Sequence, residues 1–352
     1  MLSAPRKATF APQITGGRAI FFIRHDLDDP RLLQGWRAHR AAFRAALPLL
    51  PWDATTAELP FDGGRMTLYL LRPRDGNSSR PTILAPCGFD STAESGYAAT
   101  AYMALCRGYN ALLWDGPGQG GMLYEYHVPM RPDFEAVLSP VIDWLLNQRE
   151  VNPGGLVLIG RSLAGYLAAR AASVEHRLAA LVCDPGQVEF VSRIVPSRFT
   201  EEQWQRVLAA DPEMEQTLQQ QLDDPKKREY YGSRMATFGA KTLAEFLRMQ
   251  VGYTVEDKAA LIRCPTFVTE GEGDFASQSS KLFDLLTCEK RIQRFSEADG
   301  AGGHCCGLGA TLWEQATFDW IGETLARENA QPLGAATVGR RIDKAERMNY
   351  EG

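Results

Sequence analysis

The sequence predicts an α/β fold: a mostly parallel twisted sheet flanked by helices, carrying an inserted helical cap. Three observations predict it. Short apolar runs alternate with helical stretches from Thr82 onward, and strands that are apolar on both faces belong to a parallel sheet covered on both sides. One long interval, Asp184 to Leu261, breaks the alternation with helical signals only. A strand, a sharp turn and an Ala-rich helix meet at Ser162.

Taken in order, residues 31–50 place Leu33, Trp36, Ala41, Phe43, Ala46 and Leu47 at mixed three- and four-residue spacing, an amphipathic helix ending at Pro48. Thr56–Pro60 and Met66–Pro73 flank the turn signal Phe61-Asp62-Gly63-Gly64 and read as a hairpin. The strands of the sheet are Thr82–Pro86, Ala111–Trp114, Leu156–Ile159, Leu178–Cys183, Thr266–Thr269 and Arg291–Phe295. Within the helical interval, Thr200-Glu201-Glu202-Gln203 fits a capping box, and Leu243, Phe246, Leu247 and Val251 form another apolar face. Roughly 70 residues exceed the usual connection length, so this insertion is expected to cap the carboxyl edge of the sheet. The expected organisation is a helical N-terminal segment at 1–55, a core at 56–186 and 262–328, a cap at 187–261 and a polar tail at 329–352.

Composition narrows the class. The 352 residues carry 38 Lys plus Arg against 43 Asp plus Glu, a net charge of −5. A mildly acidic chain without a basic run is a poor nucleic-acid binder, because phosphate attraction supplies most of that affinity. The apolar runs fall well short of the roughly 20 residues of a membrane span. Arg6 and Lys7 are not followed by an apolar core, so the first residues do not read as a secretory signal. The 7 cysteines are an odd number scattered through apolar segments, which suggests reduced thiols and a cytoplasmic protein. Cys305 and Cys306 adjoin His304 but lack the spacing of zinc ligands, so neither a metal nor a cofactor is expected.

The chemistry centres on Gly160-Arg161-Ser162-Leu163-Ala164. Small residues two positions either side of Ser162 let strand and helix cross closely and present the hydroxyl at the turn, which is the form of a nucleophile elbow. A serine hydroxyl needs a base, and the base an orienting acid. Of the 5 histidines, His304 lies in a Gly-rich loop after the last strand, where the chain order Ser, acid, His places the base. His127 could also line the pocket. Glu270, Glu272 and Asp274 follow the preceding strand. Asp274 is the expected acid because Gly271 and Gly273 shape its turn, with Glu272 as the alternative. The oxyanion donors are expected to be the backbone N–H groups of Leu163, directly after the serine, and of Phe89, in the loop Pro86–Asp90.

These residues resemble the α/β-hydrolase superfamily. More narrowly they resemble the 2,6-dihydropseudooxynicotine hydrolase group and the fungal pigment polyketide-shortening hydrolases. The resemblance rests on Gly88-Phe89-Asp90-Ser91-Thr92-Ala93-Glu94-Ser95, on Trp114-Asp115-Gly116-Pro117-Gly118-Gln119-Gly120, on the Ser162 block, and on Gly271-Glu272-Gly273-Asp274 with the His304 loop, and it runs from Thr56 to Leu325. It implies hydrolysis of a C–C bond adjacent to a ketone in a β-dicarbonyl, polyketide or aryl-ketone substrate. It also implies a helical cap, a homodimer and a role for Glu94 as an auxiliary acid or substrate-binding group. Glu94 could equally belong to a helix-capping network, and Asp115 reads as a turn carboxylate. The sequence departs from the pattern at Ala164, which replaces a glycine, and at Phe89-Asp90, where smaller residues are expected. Carboxylesterase, thioesterase and acyltransferase chemistry would use the same triad and stay open. A prolyl-type oligopeptidase is disfavoured, since about 60 residues ahead of the core are too few for a propeller.

Overall fold

The computed structural model describes residues 20–330 except 75, 77, 78 and 193–197. The predicted tail therefore lies outside the described residues beyond 330, as does the start of the N-terminal segment. Helix α1 spans Pro30–Ala46, capped by the Asp29 carboxylate on the Arg31 N–H. Strands β1 (Trp52–Phe61) and β2 (Gly64–Pro73) form the hairpin, in register from Trp52 opposite Pro73 to Phe61 opposite Gly64. Asp62 and Gly63 both take left-handed φ, 49° and 81°, the pair that matches the twist of a two-residue hairpin turn.

The remaining strands are β3 (Arg80–Pro86), β4 (Asn110–Trp114), β5 (Val151–Arg161), β6 (Ala180–Asp184), β7 (Thr266–Gly271) and β8 (Lys290–Phe295). The sheet order is β1-β2-β4-β3-β5-β6-β7-β8, antiparallel through β2/β4 and parallel thereafter. Side chains alternate between two cores, as the period of two requires. Leu68, Leu84, Leu112, Leu158 and Leu181 join one core; Tyr69, Ile83, Ala111, Val157 and Phe267 join the other. The first core is closed by α4 (Glu135–Leu146) and α5 (Ala164–Ala172); the second by Phe43 of α1, by the helical stretch Ala93–Gly96, Tyr97–Ala101 and Tyr102–Cys106 (α2), and by α11 (Ala310–Ala330).

Helix α1 turns slightly from the predicted face. It buries Leu32, Trp36, His39 and Phe43, while Ala41 is exposed. A polar residue is buried because His39 Nε2 finds Thr92 Oγ1 at 3.0 Å. Helix α3 (Gly120–Tyr124) follows β4. Between β6 and β7 stand α6 (Glu201–Leu208), α7 (Pro212–Gln220), α8 (Pro225–Phe238) and α9 (Leu243–Met249). The capping box opens α6: the Gln203 N–H donates to Thr200 Oγ1 and the Thr200 N–H to Gln203 Oε1. These helices share Trp204, Leu218, Phe238 and Phe246 with the α4/α5 core. Helix α10 (Ser279–Leu285) lies between β7 and β8. Among the described residues no helix is long and apolar enough to cross a membrane.

At the carboxyl end of β4, the buried Asp115 carboxylate accepts the N–H groups of Ala93 (2.7 Å) and Gly121 (3.3 Å), tying the starts of α2 and α3 together. A Cβ on Gly120 would collide with that carboxylate. Burial, and next the neighbouring Glu94, push the Asp115 carboxyl up to about 7. Cys87 and Tyr124 face the same group. The carboxyl of an unfolded chain titrates near 3.9. From about pH 4 to 7, therefore, the folded state keeps a proton the unfolded chain releases, and stability falls as pH rises. Asp115→Asn should flatten that slope in denaturant titrations while lowering absolute stability by about 1–3 kcal/mol, because the Gly121 N–H loses its acceptor. An unchanged slope would show that the titration lies elsewhere.

Candidate active site

Ser162 follows the last residue of β5 and precedes α5, with φ of 57°. That left-handed backbone is strained for a side-chain-bearing residue and is held from several sides. The Ser162 N–H donates to Asp184 O at 2.7 Å, and its carbonyl accepts from the Gly165 N–H at 2.8 Å and from Gln187 Nε2 at 2.5 Å. Two glycines make the crossing possible. A Cβ at Gly160 would meet the Ala164 carbonyl, and one at Gly165 the Pro185 carbonyl.

His304 opens the turn His304–Gly309, and its Nε2 stands 2.8 Å from Ser162 Oγ. Its Nδ1 is 2.8 Å from Asp274 Oδ1. Asp274 follows β7 through Gly273, whose φ is 76°. The Asp274 side chain is fully buried and accepts the Ala276 N–H at 2.9 Å and the Cys305 N–H at 3.0 Å. Burial works against its charge, but the His304 ring and these N–H groups outweigh it and hold the carboxyl below its usual range. Glu272 turns away: exposed, it accepts the Glu297 N–H at 2.8 Å. Glu270 accepts from Ser277 and Arg294.

Of the expected oxyanion donors, Leu163 is the N-cap residue of α5, at the positive end of the helix dipole. The loop bearing Phe89 packs directly on the elbow, since a Cβ on Gly88 would lie 3.2 Å from Ser162 Cβ. The sequence reading missed Gln119, which fixes this loop. Its buried side-chain amide donates to Cys87 O at 2.5 Å and Gly88 O at 3.3 Å, and accepts from the Gly116 N–H at 2.9 Å. In a trans peptide the carbonyl and the following N–H point in opposite directions. Holding Gly88 O therefore aims the Phe89 N–H away from Gln119.

Glu94 is not brought to Ser162. It is fully buried, accepts from the Tyr69 hydroxyl at 2.9 Å and lies 3.7 Å from His39 Nε2. The capping partner in its helix is Ser95, whose Oγ accepts the Thr92 N–H. His127 is exposed and stands apart from the cavity wall.

Arg161 and Asp184 were also missed; the first occupies a variable place in the elbow motif and the second simply ends a strand. Arg161 Nε lies 2.9 Å from the fully buried Asp184 Oδ2, and the guanidinium donates to Cys305 O and Ala99 O. Asp184 Oδ1 accepts from the Thr269 hydroxyl at 2.8 Å. Cys305 and Cys306 have φ of 53° and 52°. Cys305 Sγ lies 3.4 Å from Asp184 O and 3.6 Å from His304 Nε2. Burial, and next the Asp184 charge, push both thiols well up, which disfavours the thiolate that a nucleophilic cysteine needs.

Above Ser162 and His304 opens a cavity of about 720 Å³, walled on the core side by Phe89 and Phe275 and on the other by Leu218, Arg234 and Phe246. Its size and mixed lining suit a small organic substrate.

The family model for X-Pro dipeptidyl-peptidases (S15 family) matches residues 62–297. The chain is 29% identical over 328 residues to the hydrolase LUC6 of a Fusarium species, covering 87% of this chain and 78% of that protein. It is 29% identical to the 20-hydroxy-prefusarin hydrolase FUS2 of Gibberella moniliformis, covering 88% of this chain and 78% of that one. The crystal structure of the 2,6-dihydroxy-pseudo-oxynicotine hydrolase superposes with a TM-score of 0.70 at 25% identity, covering 91% of this chain and 80% of that one. The chain is a hydrolase of the X-Pro dipeptidyl-peptidase (S15) family, built on the α/β-hydrolase fold.

Proposed function

We propose that the chain is a serine hydrolase that cleaves a C–C bond adjacent to a ketone. The observation that carries the reading is the continuous Ser162–His304–Asp274 hydrogen-bond chain, 2.8 Å at each link. Ser162 Oγ attacks the carbonyl carbon while His304 Nε2 takes the hydroxyl proton. The anionic Asp274 holds the imidazole tautomer and stabilises the imidazolium. The Phe89 and Leu163 N–H groups receive the charge on the tetrahedral oxygen. When the tetrahedral intermediate collapses, the C–C bond breaks with its electron pair on the departing carbon, as the enolate of a second carbonyl, and His304 returns the proton to it. Water, deprotonated by His304, then releases the acid from Ser162.

The ketone side of this proposal follows the sequence resemblance; the family name points to amino-terminal dipeptides. The cavity's charge favours the former. A dipeptidyl peptidase has to hold a substrate ammonium, and the carboxylate natural to that task is scarce here. Asp90 is the one carboxylate on the wall among the described residues, and Arg24 pairs with it. Arg198, Lys227 and Arg234 line the same space. Glu94 and Asp115, on this reading, support the oxyanion loop from behind. The homodimer implied by the resemblance belongs to the same proposal, with sedimentation as its check.

Product analysis by mass spectrometry tests the reaction. With a β-diketone the enzyme should yield one acid and one ketone. A fluorophosphonate should label Ser162, and Ser162→Ala should lose about 10⁴-fold or more in kcat. Cleavage of aryl esters or thioesters with no diketone cleavage would assign esterase chemistry, and full activity in the alanine variant would remove Ser162 from the mechanism. The Gln119 clamp makes a separate expectation. Gln119→Leu should lower kcat by about 10- to 100-fold with little change in KM, since losing a whole oxyanion donor costs about 10²–10³. A matching rise in KM with kcat intact would mean that the clamp shapes binding instead.

A further inference from the structure

We propose that Arg234 forms an anion-binding subsite of the Ser162 cavity, so that the substrate carries a planar, charge-delocalised oxyanion: a carboxylate or the enolate of a β-dicarbonyl. The proposal rests on the hydrolase reading of this cavity and names the substrate class that it takes.

Arg234 sits on α8, on the cavity wall, beside the oxyanion loop. Its guanidinium carbon lies 3.5 Å from the centroid of the Tyr230 ring and 4.9 Å from that of Phe89. One nitrogen, Nη1, donates to Tyr230 O at 2.8 Å and to Ser233 Oγ at 3.4 Å. Nε and Nη2 have no acceptor among the described residues, and no carboxylate there lies within ion-pair reach of the side chain. Asp90 on the wall pairs with Arg24, whose own side chain is almost wholly buried, and its charge reaches Arg234 only from beyond ion-pair distance. Burial pushes the proton affinity of Arg234 down, but a guanidinium stays charged at any physiological pH.

Geometry distinguishes a ligand-binding role from a structural one. Tyr230 and Phe89 stack on the guanidinium, but its hydrogen bonds come only from its own helix. The side chain is partly buried on the cavity wall, and the adjacent Nε and Nη2 edge has no acceptor among the described residues. A fork of that shape matches two oxygens held in one plane. Both candidate anions have this shape. The enolate is also the species that departs when a β-dicarbonyl is cleaved, so the subsite could hold the leaving half of the substrate.

The test is binding, by titration calorimetry, to full-length Ser162→Ala protein, which does not depend on turnover. The probes are 4-phenylbutyrate and its neutral counterpart 4-phenylbutyramide, together with benzoylacetone across pH. The Ser162→Ala protein should bind the carboxylate at least tenfold more tightly than the amide, or benzoylacetone increasingly tightly as its enolate forms. The first result assigns a carboxylate substrate and the second an enolate. Adding Arg234→Gln should abolish the discrimination, and Arg234→Lys should keep only part of it, having charge without the fork. Circular dichroism and the urea midpoint check that each variant folds, and Arg234→Lys carries the comparison if the glutamine variant does not. Equal binding of charged and neutral probes overturns the proposal. So does discrimination that survives Arg234→Gln. Loss of Ser162-dependent turnover in the wild-type enzyme with this binding intact would overturn the hydrolase reading alone.

Discussion

One buried ion pair aligns the parts of the site. Arg161 precedes Ser162, and Asp184 ends the next strand; their side chains meet at 2.9 Å with Asp184 wholly out of water. Such a pair is poor evidence of net stability, because desolvation consumes most of the attraction. Its value is positional. The same guanidinium donates to the carbonyls of Cys305 and Ala99 and lies over the Trp313 ring. The residue after His304, the helix behind the oxyanion loop and the helix α11 are thereby referred to one charge. Asp184 spreads the constraint to β7 through Thr269, and its backbone carbonyl receives the Ser162 N–H. A shift of Arg161 would therefore move the serine and the histidine together.

The loop bearing Phe89 has its own support on the opposite side. Gln119 holds two loop carbonyls, and Asp115 binds the first N–H of the helix that follows the loop. Glu94, Tyr69 and His39 extend this polar layer to α1. A layer of this kind has to be satisfied throughout, since one orphaned group in a dry interior costs more than the bond it would have made. That requirement explains why the Asp-Gly-Pro-Gly-Gln-Gly block and the Ser-Thr-Ala-Glu block occur in the same chain. They are two halves of one scaffold around Phe89.

The sheet was legible in the sequence because the inner strands β3 to β7 are buried on both faces over their apolar runs, while the edge strand β8, with Arg291, Gln293 and Arg294, left a weaker signal. The elbow was legible because strand, turn and helix each leave a local signature around Ser162. Asp274 could be chosen over Glu272 from the glycine spacing, and the two carboxylates do point to different partners. Less was legible where a residue's role depends on a partner far away in the chain. Arg161 fills a variable motif position, Gln119 stands within its block without a signal of its own, and Arg234 is one of two arginines on α8. Helix α1 shows the same limit. Its periodicity predicts a face through Leu33 and Ala41, and the hydrogen bond between His39 and Thr92, 53 residues apart, accompanies the turn that buries Leu32 and His39 instead.

These supports divide the cavity by origin. Ser162, His304, Asp274 and the loop bearing Phe89 all hang from strand ends or loops of the core, where hydrogen bonds hold them. The facing wall comes from α7, α8 and α9, whose apolar side chains contribute to the core and whose arginine and lysine do not. A triad needs only a carbonyl carbon and an oxyanion, features that an amide, an ester and a β-diketone share. What separates these substrates is the charge and shape of the group that leaves, and on the proposed reading that group meets the helical wall. A family named for dipeptides and a member proposed to take ketones are therefore compatible: attack on a carbonyl is common to both, and the guanidinium of Arg234 on the facing helix suits an anionic substrate where a dipeptide's ammonium would call for a carboxylate.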